Sequence, residues 1–294
     1  MLSVAFLGLG AIGRPMAARI ATAGFPLTVW NRTVERTQEF TRDRGVRAGK
    51  SVADAVGGAD VVVTCLSTSA DVASLLDAEV VGAFKAGSTL VDCTSGDPAT
   101  SRRLATRLRE RGIAFVDAPV SGGVKGAQEG TLTVMCGGDE HDIERARPVL
   151  EAFGKKIVHC GPVGAGDAVK AMNQALLAIT IWATGEALAA LAKSGVSAKV
   201  ALDVINASSG RSNASMNLFP ERVLNRSFPR TFKLALLDKD ARIAAQIARD
   251  ERVPAPLTQL AADLCTLAHR ELGEDADHVE AVKIIEHWAE TEIQ

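Results

Sequence analysis

Up to Cys160, the chain alternates between short apolar runs and amphipathic stretches. An apolar run at residues 3–7 is followed by a glycine-rich turn, a helical pattern at residues 14–23 and a second apolar run at residues 27–30. Because short apolar strands that alternate with helical patterns are typical of β-α-β units, this part predicts a parallel sheet covered by helices. Further strands are predicted at residues 45–48, 59–66, 89–93, 113–118, 130–138 and 156–160, and helices at residues 33–44, 52–56, 71–84, 99–111 and 140–153.

The hydrophobic pattern changes within the run Gly161–Gly166. Beyond it nearly every segment has the period of a helix, and no convincing strand follows. We therefore predict an α/β fold of two domains, residues 1–163 and an all-α domain at residues 164–294. Helices of the second domain are predicted at residues 167–192, 197–207, 234–249, 257–271 and 276–290.

The turn after the first strand carries three glycines in the pattern G-x-G-x-x-G. Gly8 permits the tight turn, Gly10 lets the backbone approach a pyrophosphate, and Gly13 lets the helix pack closely on the strand. Because the motif lies between a strand and a helix N-terminus, it predicts a dinucleotide-binding domain of the Rossmann type. The cofactor-binding residues of this turn are Gly8, Leu9, Gly10, Ala11, Ile12 and Gly13.

The second strand ends in Asn31, Arg32 and Thr33, where an NAD site usually has an acid that binds the ribose 2′-hydroxyl. A guanidinium pairs well with a 2′-phosphate, which an acid would repel. We therefore predict that these three residues bind NADP(H), with NAD(H) less favoured. The alternative for Arg32 is a solvated loop position.

Polar residues also follow two later strands, and ligands of such sheets bind at the carboxyl ends of the strands. Leu66 and Ser67 are predicted to contact the cofactor ribose, although the same segment also suits simple capping of the next helix. Thr94 and Ser95 are predicted to lie where the nicotinamide binds, and Asp97 to cap the helix that follows.

Ser121, Gly122 and Gly123 follow the strand at residues 113–118. A hydroxyl beside consecutive backbone amides can bind an anion such as a carboxylate. The alternative is a flexible glycine loop.

Lys170 and Asn173 are separated by three positions near the start of the long apolar helix, so they share one face of it. A helical lysine usually faces solvent, but this one is followed by apolar Ala171 and Met172. On the residues alone, Lys170 is either a catalytic or a surface residue.

Composition limits the classes of partner. With 294 residues, 47% of them hydrophobic, and a formal net charge of -2, the chain has no overall basic field, so no nucleic-acid partner is predicted. Five scattered cysteines and a start directly in a strand predict reduced thiols in a cytoplasmic protein. Residues 175–192 are apolar enough for a membrane span, but Gly185 and Glu186 favour a buried helix between domains or subunits. The histidines have no metal-ligand spacing, so no metal is predicted.

Four motifs, in this order, resemble those of the β-hydroxyacid dehydrogenases. This family includes 3-hydroxyisobutyrate dehydrogenase, tartronate semialdehyde reductase, glyoxylate/succinic semialdehyde reductase and, more distantly, 6-phosphogluconate dehydrogenase. The resemblance covers essentially the whole chain. The motifs are Gly8–Ala17, with Ile12 where Met is commoner; Asp117–Gly123; Gly161–Gly166 followed by Lys170 and Asn173; and Phe232–Leu234 followed by Lys239 and Asp240.

The resemblance implies roles for these residues. Lys170 would donate a proton to the carbonyl oxygen in reduction and accept it in oxidation, which requires a lysine pKa lowered toward neutrality. The resemblance assigns the substrate carboxylate to Ser121, Gly122 and Gly123, substrate orientation to Asn173, and the cofactor to Ser95, Phe232 and Lys239. Ser95 stands where Thr is commoner, and Gln174 where some members have Asn, which weakens any inference about the acid that is bound.

The sequence thus predicts a reductase or dehydrogenase that uses NADP(H) and a small carboxylate-bearing β-hydroxy acid or semialdehyde. One alternative is an imine reductase of the same fold, but such enzymes typically carry another residue at the position of Lys170. Another is a non-catalytic cofactor-binding protein, which the intact Ser121–Gly123 segment argues against. By analogy with the family, we expect a homodimer or a higher homo-oligomer.

Overall fold

A computed structural model describes residues 1–42 and 44–294 of the chain. Its packing forms two compact units, Met1–Lys170 and Ala171–Gln294, which we call the sheet unit and the helical unit. The division falls inside a long helix, Ala165–Lys193, so Lys170 is the last residue of the sheet unit. The predicted boundary at residue 163 lies just before this helix.

The sheet unit is built on a single sheet. Its strands are β1 (Val4–Leu7), β2 (Leu27–Trp30), β3 (Arg47–Ala48), β4 (Val61–Thr64), β5 (Thr89–Asp92), β6 (Ala114–Asp117), β7 (Val120–Ser121), β8 (Leu132–Gly137) and β9 (Gly154–Gly161). Their order is β3-β2-β1-β4-β5-β6-β8-β7, and β9 pairs with β8. The first six strands pair in parallel, as the alternating pattern predicts, whereas β8 runs antiparallel to β6 and β7.

The parallel strands end at one common edge. Leu7 pairs with Trp30 and Thr64, Thr64 with Asp92, and Asp92 with Asp117. Every residue of β1, β4 and β5 is buried, which explains the apolar runs Val4–Leu7 and Val61–Val63. The loops that follow these strands therefore lie side by side, at the edge where sheets of this kind bind ligands.

Helices connect the strands of the sheet unit: α1 (Gly13–Thr22), α2 (Val34–Thr41), α3 (Val52–Val56), α4 (Ser69–Leu75), α5 (Ala78–Ala83), α6 (Pro98–Arg109), α7 (Gly123–Glu129) and α8 (Glu140–Leu150). The predicted caps at Ser51 and Asp97 are confirmed, since both side chains accept backbone N–H groups of the helices they precede. The single helix predicted at residues 71–84 is wrong. It divides into α4 and α5 because Asp77 accepts a hydrogen bond from the amide of Val80 and caps a new helix.

One predicted helix includes a position that the structure does not describe. The helix predicted to reach about Arg44 ends at Thr41, and Asp43 lies outside the described residues.

The helical unit is all-α, as predicted. Its helices are α9 (Ala165–Lys193, which starts in the sheet unit), α10 (Ala198–Asn206), α11 (Leu234–Asp250), α12 (Pro256–Leu272) and α13 (Val282–Ala289). Two elements differ from the prediction. A π-helix at Ala214–Val223 was not predicted, and the helix predicted at residues 276–290 is a 3-10 turn, His278–Ala281, followed by α13. Asp277 begins that turn with a capping box.

Helix α9 is long and apolar enough to cross a membrane by length and composition alone, with a mean hydropathy of 1.7 over its most apolar window. Core helices of soluble proteins meet the same criteria. Ala178, Ile181, Trp182 and Leu188 on this helix are buried and pack into the apolar core of the helical unit. Part of the helix is therefore interior.

Candidate active site

In the glycine turn after β1, Gly8 and Gly13 pack against the backbone, whereas Gly10 faces open space. Gly8 has a φ of +107°, and a β-carbon there would collide with the carbonyl oxygen of Cys65. A β-carbon on Gly13 would collide with the carbonyl oxygen of Gly8, while nothing lies within 4 Å of one added to Gly10. The turn therefore has the tight bend and the close helix packing expected of a pyrophosphate cradle, with open space at Gly10.

Asn31 joins this turn to the end of β2. Its Oδ1 accepts a hydrogen bond from the amide of Leu9 (2.9 Å), and its Nδ2 donates one to the carbonyl oxygen of Thr33 (3.1 Å). Its side chain is buried, whereas Arg32 and Thr33 are exposed. Asn31 thus holds the shape of the turn, and Arg32 and Thr33 present their side chains at the surface.

The loops after β4 and β5 are tied to each other. The amide of Leu66 donates to Thr94 Oγ1 (3.0 Å), and the amide of Thr94 donates to Asp92 Oδ1 (3.0 Å). Thr94 is buried and its hydroxyl accepts the amide of Leu66, and its expected place beside the nicotinamide stays a prediction. Ser95 is half-buried and Ser67 is exposed at the same edge.

The segment at Ser121–Gly123 joins strand β7 to helix α7, and neither element was predicted. Ser121 pairs with Thr133 in the β7–β8 ladder, and α7 begins at Gly123. Gly122 and Gly123 have φ angles of +134° and +65°, which only glycine adopts readily. The two glycines therefore connect a strand to a helix.

Lys170 is buried, with 8% of its surface exposed, although it is a lysine on a long helix. Asn173, one turn further along α9, is exposed, and its Nδ2 lies 3.4 Å from Gln174 Oε1. The surface alternative for Lys170 is thereby removed. Burial of a lysine is costly unless it has a partner or a function.

The other predicted residues belong to the helical unit. Lys239 on α11 lies 3.2 Å from Asp240 Oδ1, and the ring of Phe232 meets the edge of His278 at a centroid distance of 5.4 Å. The amide of Phe232 also donates to Asp277 (2.9 Å). Their assignment to the cofactor stays a prediction.

Two carboxylates to which the sequence analysis assigned no role, Asp117 and Asp167, lie beside the loops after β5 and β6. Asp117 ends β6, is fully buried, and accepts the amides of Gly164 (2.7 Å) and Asp167 (3.0 Å). Asp167, 2% exposed, accepts the amide of Gly96 (3.1 Å) and the hydroxyl of Ser101 (2.6 Å). The sequence feature that could have identified Asp117 is an acidic residue at the end of an apolar strand.

Both carboxylates resist ionisation. Burial raises the pKa of Asp117 to about 6, against the opposing effect of its two amide donors. Burial also raises the pKa of Asp167 well above its ordinary value, and the charges of Asp117 and Asp92 act in the same direction. The start of α9 is therefore held by acids that are costly to bury as anions.

This cost predicts a pH-dependent stability. Because the pKa values are raised, the folded protein binds more protons than the unfolded chain above about pH 4. The contribution of these groups is largest below that pH and is lost as the pH rises through their raised pKa values, which is about 6 for Asp117. In Asp167→Asn, the amide can still accept from Gly96 and donate to Ser101. We expect its Tm to exceed that of the wild type by about 2–4 °C at neutral pH.

Thermal unfolding of both proteins across the pH range is the measurement. The difference in Tm should disappear near about pH 4, and Asp203→Asn, at an exposed position of α10, should show no difference at either pH. A lower Tm for Asp167→Asn at neutral pH would contradict the expectation.

Comparisons with known proteins cover both units. Residues 3–161 match the family described as the NAD binding domain of 6-phosphogluconate dehydrogenase. Residues 164–285 match the family described as NAD-binding of NADP-dependent 3-hydroxyisobutyrate dehydrogenase. Together the two matches span almost the whole chain.

Characterised relatives and solved structures are similar over most of their length. The chain is 38% identical over 275 residues to an NAD-dependent L-serine dehydrogenase of Pseudomonas aeruginosa, covering 91% of this chain and 92% of that protein. It is 34% identical to 2-(hydroxymethyl)glutarate dehydrogenase of Eubacterium barkeri, covering 90% and 88%. The structure of Mycobacterium tuberculosis 3-hydroxyisobutyrate dehydrogenase with L-serine aligns with a TM-score of 0.89 at 33% identity, covering 97% and 99%.

Proposed function

The chain belongs to the β-hydroxyacid dehydrogenase family, and from this premise we propose that it interconverts a small β-hydroxy acid and its carbonyl form with NADP(H). When bound, the nicotinamide dinucleotide supplies or accepts the hydride. The residues that would hold it are those of the glycine turn at Gly8–Gly13, Arg32 and Thr33 after β2, and Leu66, Ser67 and Ser95 after β4 and β5.

The observation that carries the proposal is the burial of Lys170 in the same unit as the glycine turn. In this proposal the ammonium group of Lys170 gives a proton to the substrate's carbonyl oxygen in reduction and takes the hydroxyl proton in oxidation. Burial supports this proton transfer because desolvation favours the neutral amine. Ser121 and the amides of Gly122 and Gly123 hold the substrate carboxylate, and Asn173 orients the substrate beside Lys170.

The substrates named for the relatives share one chemical group. L-serine, 3-hydroxyisobutyrate and 2-(hydroxymethyl)glutarate each carry a hydroxymethyl group and a carboxylate on the same carbon, and differ only in the third substituent. We propose that the substrate of this chain has the same pair of groups. The test is a turnover assay with each of these acids and either cofactor, in which oxidation of at least one acid is expected.

The preference for NADP(H) is proposed from the end of β2. Arg32 is exposed there, and Asn31 is neutral and engaged with the backbone, so residues 31–33 offer no acid to a ribose 2′-hydroxyl. Arg36, in the first turn of α2, is a second exposed cation of the same segment. A 2′-phosphate is the anion that such a surface suits.

Arg32→Asp is expected to reverse this preference. Loss of a charge-assisted hydrogen bond, worth about 1.5–3 kcal/mol, should lower kcat/KM for NADP(H) by about 10- to 100-fold. The value for NAD(H) should hold or rise, because the new acid can bind a 2′-hydroxyl. Steady-state kinetics with both cofactors measure this.

The matched control is Arg42→Asp, which makes the same change of charge at an exposed position just beyond α2. It should alter neither value appreciably. Equal losses with both cofactors in Arg32→Asp, or a clear NADH preference of the wild type, would contradict the NADP(H) assignment.

A further inference from the structure

The first turn of α9 is capped from a distant part of the chain. The first amides of a helix have no acceptor within it, and the residue before the helix usually supplies one. Ser51 and Asp97 do so for α3 and α6. Gly164, which precedes α9, has no side chain, and Asp117 at the end of β6 takes its place. The Asp117 carboxylate accepts one hydrogen bond from Gly164 and one from Asp167.

A second pair of hydrogen bonds connects a side chain of α9 to the loop after β5 and to α6. Asp167 lies in the first turn of α9, and its carboxylate accepts the amide of Gly96 and the hydroxyl of Ser101. Gly96 directly follows Ser95 in the loop after β5, and Ser101 lies on α6. The start of α9 is thus joined by hydrogen bonds to the exits of both β5 and β6.

The backbone packs closely around these hydrogen bonds at three glycines. A β-carbon on Gly166 would collide with the carbonyl oxygen of Met135, and one on Gly137 would collide with the Asp117 carboxylate. One on Gly96 would lie 2.9 Å from Ser69 Oγ and 3.2 Å from Asp167 Oδ1. Glycines at these positions let strand β8 and the β5 loop close directly on the two carboxylates.

We propose that Asp117 and Asp167 are positioning residues that fix the first turn of α9, and with it Lys170, against the exit loops of β5 and β6. Lys170 lies three positions after Asp167, one helical turn further along α9. The inference rests on the proposed function, because it takes Lys170 as the proton donor and acceptor. It assigns to the two acids no contact with the reacting atoms.

The two positions differ in what they tolerate. Both oxygens of Asp117 accept backbone amides, so Asp117→Asn turns an NH₂ group toward one of two N–H donors and breaks the cap. Asp167→Asn keeps both of its bonds, because the hydroxyl of Ser101 can accept as well as donate. We therefore expect Asp117→Ala, Asp117→Asn and Asp167→Ala to lower kcat by about 10- to 100-fold, since small misplacements of a catalytic group cost that much. Asp167→Asn should retain most of the activity.

A double-mutant cycle with Lys170→Ala separates positioning from general stability. Single-turnover experiments measure the rate per folded active site. A cofactor titration gives the fraction of active sites. If Asp117 acts through Lys170, Asp117→Ala should lower the rate at least about tenfold in the wild-type background and less than about twofold in the Lys170→Ala background. KM for the cofactor should stay unchanged. Asp139→Ala, which removes the cap of α8, is the matched control and should leave the rate unchanged.

The outcomes separate the two proposals. Full activity of Lys170→Ala contradicts the proposed function itself. Loss of activity in Lys170→Ala, with the same factor for Asp117→Ala in both backgrounds, contradicts only the positioning role. The positioning role alone is also contradicted if Asp117→Ala unfolds more easily but its folded fraction keeps the wild-type rate. If Asp117→Ala does not fold, Asp117→Asn and Asp167→Ala replace it in the same cycle.

Discussion

Lys170→Ala is expected to lower kcat by about 10²- to 10⁴-fold, the usual contribution of a positioned general acid or base. The affinity for the nicotinamide dinucleotide should hold, because the glycine turn and Arg32 bind the cofactor in our proposal. Single-turnover kinetics and a cofactor titration measure the two effects separately.

The control is Lys199→Ala, an exposed lysine on α10 in the same chain. It should leave kcat unchanged. Small primary amines added to Lys170→Ala should restore part of the rate, because they can carry the missing proton. Wild-type turnover in Lys170→Ala would remove this residue from the chemistry.

Gly13→Ala and Gly10→Ala are expected to separate folding from cofactor binding. The new methyl group at position 13 would collide with the backbone oxygen of Gly8, so we expect a loss of about 1–3 kcal/mol in the free energy of unfolding. At position 10 nothing lies within 4 Å, and the stability should change by less than about 0.5 kcal/mol. The methyl group there would instead occupy the space where a pyrophosphate approaches, raising Kd for the cofactor at least about tenfold.

Chemical denaturation without ligand and calorimetric titration with cofactor measure these effects. Gly82→Ala serves as a control, because a β-carbon there also meets nothing within 4 Å and the residue lies on α5, away from the glycine turn. An unchanged Kd in Gly10→Ala would show that the phosphates do not lie at this turn.

The strands and the glycine turn were predictable because their causes are local. β1 and β4 are fully buried, so each stands out as an apolar run between turn signals. The caps at Ser51 and Asp97 follow from residues beside the helices they begin. The spacing of Gly8, Gly10 and Gly13 carries its own geometric reason.

The features that could not be predicted depend on contacts between distant residues or on competing local signals. Nothing near Gly164 in the sequence points to Asp117 as the cap of α9, since the two residues meet only through the fold. The hydrogen bond from the amide of Leu66 to the hydroxyl of Thr94 likewise joins two loops that are distant in the sequence. Asp77 lies inside an apolar helical pattern. The pattern predicted one continuous helix, although Asp77 caps a second one.

The most direct test of the proposed activity is a turnover panel monitored by nicotinamide absorbance. L-serine, 3-hydroxyisobutyrate and 3-hydroxypropionate are offered with NADP⁺ or NAD⁺, and glyoxylate, succinic, tartronate and methylmalonate semialdehydes with NADPH or NADH. We predict turnover of at least one of these compounds, faster with the phosphorylated cofactor and lowered about 10²- to 10⁴-fold in Lys170→Ala. Tight cofactor binding with no turnover of any of these compounds would contradict the assignment.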